Sequence, residues 1–286
     1  MFWVQAAREA FGPSSSLSPC LSFADAFAAV QQGSADVAIV PLENSTNGSV
    51  VQTLDLLADR SRVYKDVQVC AEHYLTVHHC LLVRKDDNYV PITKLYTHPQ
   101  VWGQCERFLA RNMKGVERQD VSSTSMAAEI ISGQVVVGTR SAAIASRFTA
   151  EYHGLDVLDA DIEDQSDNTT RFLILRNTTS NCSAQLAQSF RRNTDTKTMK
   201  TLISFTVNQA SPGALADALL VFKTYGLNLT SINTRPSRRC PWHYIFFVEC
   251  RYNLGAGNQD VVKELSGLVE DCRELGSWVD QFSQHG

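Results

Sequence analysis

The stretch ADVAIV, residues 35–40, is an unbroken apolar run closed by Pro41; a polar loop, LENSTNG, separates it from the helical pattern of SVVQTLDLLADR. Such a run reads as a strand buried on both faces. Ser49 with Gln52 forms a capping-box pattern, and Val50, Val51, Leu54 and Leu57 make one apolar helix face. The unit recurs. KLYTHPQVWGQCERFLARN is a short strand followed by a helix with Pro99 near its start. DVSSTSMAAEIISG opens a helix on Ser/Thr caps and closes it at Gly133. QVVVGTRSAAIASRF repeats strand, loop and helix, and TRFLIL is a last strand. This βαβ rhythm over residues 1–176 predicts an α/β fold with a parallel sheet. Ligands of such sheets bind beyond the carboxyl ends of the strands, where helices begin. The polar loops 42–48, 97–100, 121–125 and 138–141 all fall there.

Residues 177–200 change character. Ser, Thr, Asn and Gln dominate, which predicts a linker. From Thr201 a second pattern begins: strand TLISFTVN, helix SPGALADALLVFKTYG, strands LNLTSINTRPS and PWHYIFFVEC, helix QDVVKELSGLVEDCREL and strand SWVDQF. That order is βαββαβ, a ferredoxin-like sandwich over 201–286. A length of 286 residues suits this division into a 1–176 domain, a linker and a small module. A formal charge of −4 with no basic block argues against nucleic acid as a partner. No apolar run is long enough to span a membrane. The eight cysteines form no CxxC pair and no zinc spacing, which with no secretory signal predicts reduced thiols in a cytoplasmic protein.

VPLENSTNGSV, THPQVWGQC, SSTSMAAE and DNTTRFLIL follow one another in the order found in prephenate dehydratases. SPGALADAL and NTRPSRRCPWHYIFFVEC resemble the ACT regulatory domain of the same enzymes. The resemblance covers nearly the whole chain. It implies a two-lobed, periplasmic-binding-protein-like (type II) dehydratase domain, with lobes at 1–72 plus 160–176 and at 73–159, followed by an ACT domain. It also implies decarboxylative dehydration of prephenate to phenylpyruvate, on the route to phenylalanine, without cofactor or metal. L-phenylalanine is the implied effector, and a homodimer or homotetramer the implied assembly.

Thr170 matches the family's TRF threonine and is expected to hydrogen-bond the leaving hydroxyl. Asn44 matches the ENS asparagine and can donate to a substrate oxygen. Glu43 is either an acid or a loop fastener accepting backbone N–H bonds. Ser45 either binds substrate or caps the turn. Arg171 is expected to fork onto a substrate carboxylate, the other reading being a structural ion pair. Gln100, Asn168 and Phe172 complete the expected contacts. Ser123 and Thr124 stand where helix amides take an anion or are simply capped. His98, before Pro99, reads as a turn fastener. In the second module Gly213, Ala214, Leu215, Asn233 and Arg235 are the implied phenylalanine site. Asn233 and Thr234 stand where the family has Glu-Ser, which changes the charge there.

The start departs from the pattern. Gln5, Ala6 and Ala7 match the end of the family's first motif, whereas Trp3 and Val4 stand where Ser and His are usual. The expected interior strand and Gly-Thr loop before them are absent. Three readings follow: a truncated or misannotated start, which is favoured, a degenerate homologue without activity, or another segment filling the gap. Two further alternatives are a non-catalytic amino-acid sensor on the same scaffold and an arogenate dehydratase.

Overall fold

The computed structural model describes residues 2–85, 91–133, 140–180, 198–253 and 259–282. In chain order the elements are α1 (Phe2–Phe11), α2 (Phe23–Gln31), β1 (Val37–Asn44), β2 (Gly48–Ser49), α3 (Val51–Ala58), β3 (Val67–Thr76), β4 (Cys80–Val83) and β5 (Ile92–Thr97). There follow α4 (Pro99–Gln104), α5 (Glu106–Asn112), β6 (Glu117–Asp120), α6 (Thr124–Gly133), β7 (Arg140–Ala145), α7 (Arg147–His153), β8 (Asp156–Asp159) and β9 (Thr169–Asn177). The last six are β10 (Thr198–Thr206), α8 (Ala214–Thr224), β11 (Asn228–Pro236), β12 (Tyr244–Asn253), α9 (Gln259–Leu268) and β13 (Glu270–Val279). They divide into two compact units, 1–15 with 75–170 and 16–74 with 171–286. Among the described residues no helix is long and apolar enough to cross a membrane.

The first unit holds a five-stranded sheet in the order β6-β5-β7-β4-β8. β5 runs parallel to β6 and β7, but β4 is antiparallel to both β7 and β8, so the sheet is mixed rather than all parallel. The apolar run of β4 is buried on both faces. Cys80 and Leu82 pack with Ala127, Ala128 and Ile131 of α6, while Leu81 and Val83 pack with Val101 of α4, Leu109 of α5 and Cys105 between those helices. α1 belongs to this unit, not to the lobe that its place at the chain start suggests.

In the second unit an eight-stranded sheet runs β11-β12-β10-β13-β3-β9-β1-β2. Its first four strands pair antiparallel and, with α8 and α9, have the expected βαββαβ order. Side-chain alternation gives those strands two buried faces. Ile203, Phe205, Val248 and Cys250 pack with Val221, Phe222, Val261 and Leu265 of the helices. Leu202, Phe247, Leu275 and Trp278 face the other way, into a core shared with Phe27, Val40, Leu54, Val69 and Leu173. The small module is therefore joined to the first part of the chain by a common core as well as by the sheet. The sheet junction is narrow, a parallel bridge between Gly276 of β13 and Val69 of β3.

Several local expectations shift. Pro41 does not end β1 but lies inside it; β1 has only the two-residue β2 on its outer side, an edge position that tolerates proline. Ser49 does not cap α3: the N-cap is Val50, and the Ser49 hydroxyl donates to Asn233 Oδ1 at 2.6 Å. The strand expected at QVVV lies outside the described residues, and the described strand, β7, starts at Arg140. The last helix stops at Leu268, because Glu270–Leu275 pair with β10 instead. The linker is bounded by β9, which runs through Asn177, and by β10, which starts at Thr198; its residues 181–197 lie outside the described set.

Candidate functional site

In the second unit the loop after β1 is a closed turn. β1 and β2 pair through Glu43 with Ser49 and Asn44 with Gly48. The Asn44 side-chain oxygen accepts from the backbone N–H of Thr46 (3.0 Å) and of Asn47 (2.9 Å). That is an Asx turn, with the carboxamide oxygen fastening the loop. Below the turn, Thr53 Oγ1 donates to the Pro41 carbonyl at 2.6 Å. Ser45 is exposed at the tip.

Glu43 leads from that turn into a buried charge cluster. Its carboxylate accepts from Arg171 Nη1 at 2.9 Å. Arg171, only 4% exposed, also donates Nε to Glu72 at 2.9 Å and Nη2 to Glu249 at 2.5 Å. All three arms of its fork are thus taken by carboxylates of the protein. Burial opposes the guanidinium charge, but Glu72 and Glu249 outweigh it and bind the proton more firmly than in water. Lys200 of β10 reaches the same Glu72 at 3.1 Å and Asp280 at 2.9 Å. Its ammonium is likewise held protonated against burial, chiefly by Glu72. Burial pushes the Asp280 carboxyl up, yet the hydrogen bond and charge of Lys200 bring it below its ordinary range. The Tyr74 ring lies under both cations, at 5.8 Å from Arg171 and 5.5 Å from Lys200. Further donors complete the shell: Thr230 Oγ1 to Glu249 (2.6 Å) and the Gln281 backbone N–H to Glu72 (2.9 Å).

Phe172, next on β9, is fully buried, and Leu173 and Leu175 join the shared core. Of the two readings of Arg171, the structure displays the ion pair: the guanidinium ties β9 to β1, β3 and β12. Glu72, Tyr74, Lys200, Glu249 and Asp280 were not foreseen. Two of them carry a sequence signal in hindsight: Glu72 interrupts VCAEHYL and Glu249 interrupts FFVEC, charges inside apolar strands that need buried partners.

In the first unit Gln100 is exposed, and its backbone N–H donates to His98 Nδ1 at 3.3 Å, so His98 caps α4 as its sequence position suggests. Ser123 Oγ accepts from the Met126 backbone N–H at 3.0 Å, capping α6, and Thr124 beside it is buried. Asn168 is buried, its carbonyl accepting from Val77 at 2.7 Å. Thr170, half-buried, stands beside Arg171 in β9. His78, Asp161 and Glu163 group their donor atoms, with His78 Nδ1 2.7 Å from Glu163.

In the small module Gly213, at φ +84°, is the N-cap of α8, followed by Ala214 and Leu215. Asn233 and Arg235 contact residues from the first part of the chain: Ser49 for Asn233, and Asp55 for Arg235 through two bonds of 2.9 and 3.0 Å.

A family model for prephenate dehydratase matches residues 2–180. The bifunctional chorismate mutase/prephenate dehydratase of Aquifex aeolicus is 34% identical over 280 residues, covering 97% of this chain and 70% of that protein. A prephenate dehydratase from Arthrobacter aurescens, solved in complex with L-Phe, aligns with a TM-score of 0.82 at 26% identity, over 99% of this chain and 88% of that one. A structure described as GqqA, a quorum-quenching acylase, aligns with a TM-score of 0.79 at 27% identity, over 99% and 95%.

Proposed function

We propose a division of labour among the residues of a chain that belongs to the prephenate dehydratase family: Thr170 assists departure of the hydroxyl, Asn44 holds a substrate oxygen, and Arg171 acts as a positioning residue behind Glu43. The reaction converts prephenate to phenylpyruvate. The bond to the ring carboxylate breaks, its electron pair enters the ring, carbon dioxide leaves, and the carbon–oxygen bond to the hydroxyl breaks as the ring aromatises. No electron sink outside the substrate is needed. The protein must orient a dianion and favour charge on the leaving oxygen.

The observation that carries the reading is the Glu43–Arg171 pair at 2.9 Å, which ties the Asn44 turn to the residue following Thr170. Thr170 is a donor to the leaving oxygen rather than an acid, because an alcohol is far too weak an acid to surrender its proton near neutrality. Gln100, Ser45, Ser123 and Thr124 are read as further substrate contacts on the strength of the family membership alone, and the buried Asn168 and Phe172 shape the strand start. Thr170→Ala is expected to lower kcat about 10²–10³-fold with KM little changed, the loss typical of one transition-state donor. Unaltered kcat would remove Thr170 from the chemistry.

The small module is read as an ACT domain that binds L-phenylalanine beside Gly213, Ala214 and Leu215. Its βαββαβ order and the L-Phe complex of the Arthrobacter relative support this. A dimer or tetramer through the β11 edge fits the exposed Ile232 and, on α8, Leu220. Phenylalanine that changes neither turnover nor melting temperature would refute the effector assignment.

A further inference from the structure

β10 separates two environments. Ile203 and Phe205 lie under the helices of the small module, while Ser204 and Thr206 point to the opposite face. On that face the turn after α3, the loop after β11 and the start of β13 enclose a cavity. Its open part, about 450 Å³, is lined by Asp55, Asp59, Arg60, Arg238 and Arg239. A narrower recess behind it shares Asp59, Arg60 and Arg239 and adds Ser204, Arg62 and Arg273. Neither Glu43 nor Asn44 lines it.

Five arginines stand there against three aspartates, Asp55, Asp59 and Asp271, an excess of two positive charges (5 − 3). The aspartates are already committed. Asp55 takes Arg60 at 2.9 Å and a two-pronged contact from Arg235, outside the lining. Asp271 takes Arg62, and Arg239 at 2.7 Å. Asp59 accepts the backbone N–H groups of Val63 (2.7 Å) and Tyr64 (3.1 Å), so Arg273 meets it only at 3.9 Å. Arg273 is mostly buried, and its Nη1 has no hydrogen-bond partner. Burial, and then the charge of Arg62, draw its pKa below the ordinary value. The backbone is constrained as well: Asp59, Arg62, Arg238 and Asp271 are four of the six non-glycine residues with positive φ among those described. Such conformations gather where surrounding structure holds groups for a purpose.

We propose that this arginine-lined cavity binds a small, multiply charged oxyanion of the phosphate or polycarboxylate class, seated on Arg62, Arg239 and Arg273. Guanidinium forks match the paired oxygens of such groups, and the Ser204 hydroxyl adds a donor. The recess, about 10 Å³, holds no more than a water, so the body of the anion lies in the open part and only its edge reaches toward Arg62 and Arg273. The ligand spans the first part of the chain, through Arg62, and the small module, through Arg239 and Arg273. Its binding therefore stabilises the shared unit by mass action.

The experiment is calorimetric and thermal titration of the full chain with inorganic phosphate and, separately, with citrate, at ionic strength held constant with sodium chloride. Binding with a sub-millimolar Kd, and a melting temperature raised above the chloride control, is the expected result. The tighter of the two anions identifies the phosphate or carboxylate source. Arg62→Gln and Arg239→Gln, whose side chains are 49% and 58% exposed, keep the fold and weaken binding at least tenfold each. If neither anion outdoes chloride, the arginines only fasten the two segments and the proposal fails. It fails equally if both variants bind as the parent does.

Discussion

Arg171 and Lys200 share one carboxylate, that of Glu72: Arg171 Nη2 approaches it to 2.6 Å and Lys200 Nζ to 3.1 Å, and the Glu72 side chain is wholly buried. One cation comes from the strand that carries Thr170, the other from the first strand of the small module. Burying charge is costly, and the cost is offset only while every charge keeps its partners.

Glu72→Gln leaves two buried cations short of a carboxylate. It is expected to destabilise the protein by about 3–5 kcal/mol, as loss of one member of a buried pair does. Urea unfolding measures it. A loss under about 1 kcal/mol would mean that water enters the cluster and relaxes it.

Gly276 allows the strand junction to form. A Cβ there meets the Val69 carbonyl oxygen at 2.0 Å, and the backbone sits at φ +149°. Gly276→Ala has to part β13 from β3, and the expected cost is about 3 kcal/mol or more. Hydrogen exchange should then show faster opening of β13. An unchanged melting temperature contradicts the junction.

Asp55 sets an acid dependence. The hydrogen bond from Arg235 draws its pKa below 3.8; burial opposes this, and Arg60 adds to the lowering. A carboxyl with a depressed folded pKa stabilises the fold above its unfolded pKa, and that stability is lost as pH falls through the folded value. Asp55→Asn should therefore melt below the parent at pH 7, with the gap closing under pH 4. A constant gap from pH 7 to pH 3 would contradict the pairing. The side chain is partly exposed, so the effect is modest.

Arg171→Lys tests the positioning role. A single ammonium cannot reach Glu43, Glu72 and Glu249 at once. The expected outcome is a tenfold or greater fall in kcat with KM nearly constant, and partial recovery when Glu43 is also changed to Gln. Equal falls in kcat for the single and double variants would sever Glu43 from Arg171 in function.

The strands at ADVAIV and TLISFTVN and the βαββαβ order were legible because each rests on local periodicity, whereas the parallel sheet expected from the βαβ rhythm is mixed in the first unit. The small polar residues of the Asn44 turn and the caps at His98 and Ser123 were legible for the same reason, since an Asx turn or a cap is settled within four residues. What joins residues far apart was not. Nothing near Arg171 in sequence announces Glu249, 78 positions away, or Lys200. Nothing in VEDCREL says that it leaves a helix at Val269; that follows from β10, whose Thr206 and Ser204 pair with Glu270 and Arg273. Ser49 looked like a cap because its partner, Asn233, lies 184 residues further on.

The common core that places Phe27 and Leu54 with Phe247 and Trp278 has a consequence for birth order. The unit built from 1–15 and 75–170 has all its strands once residue 170 has been translated. The unit that starts at residue 16 must wait until Val279 has left the ribosome before its last strand can close. Until then its early apolar residues lack the strands that bury them, the kind of exposure that invites misassembly. A fragment ending near residue 180 lacks β10–β13 and with them one wall of the shared core.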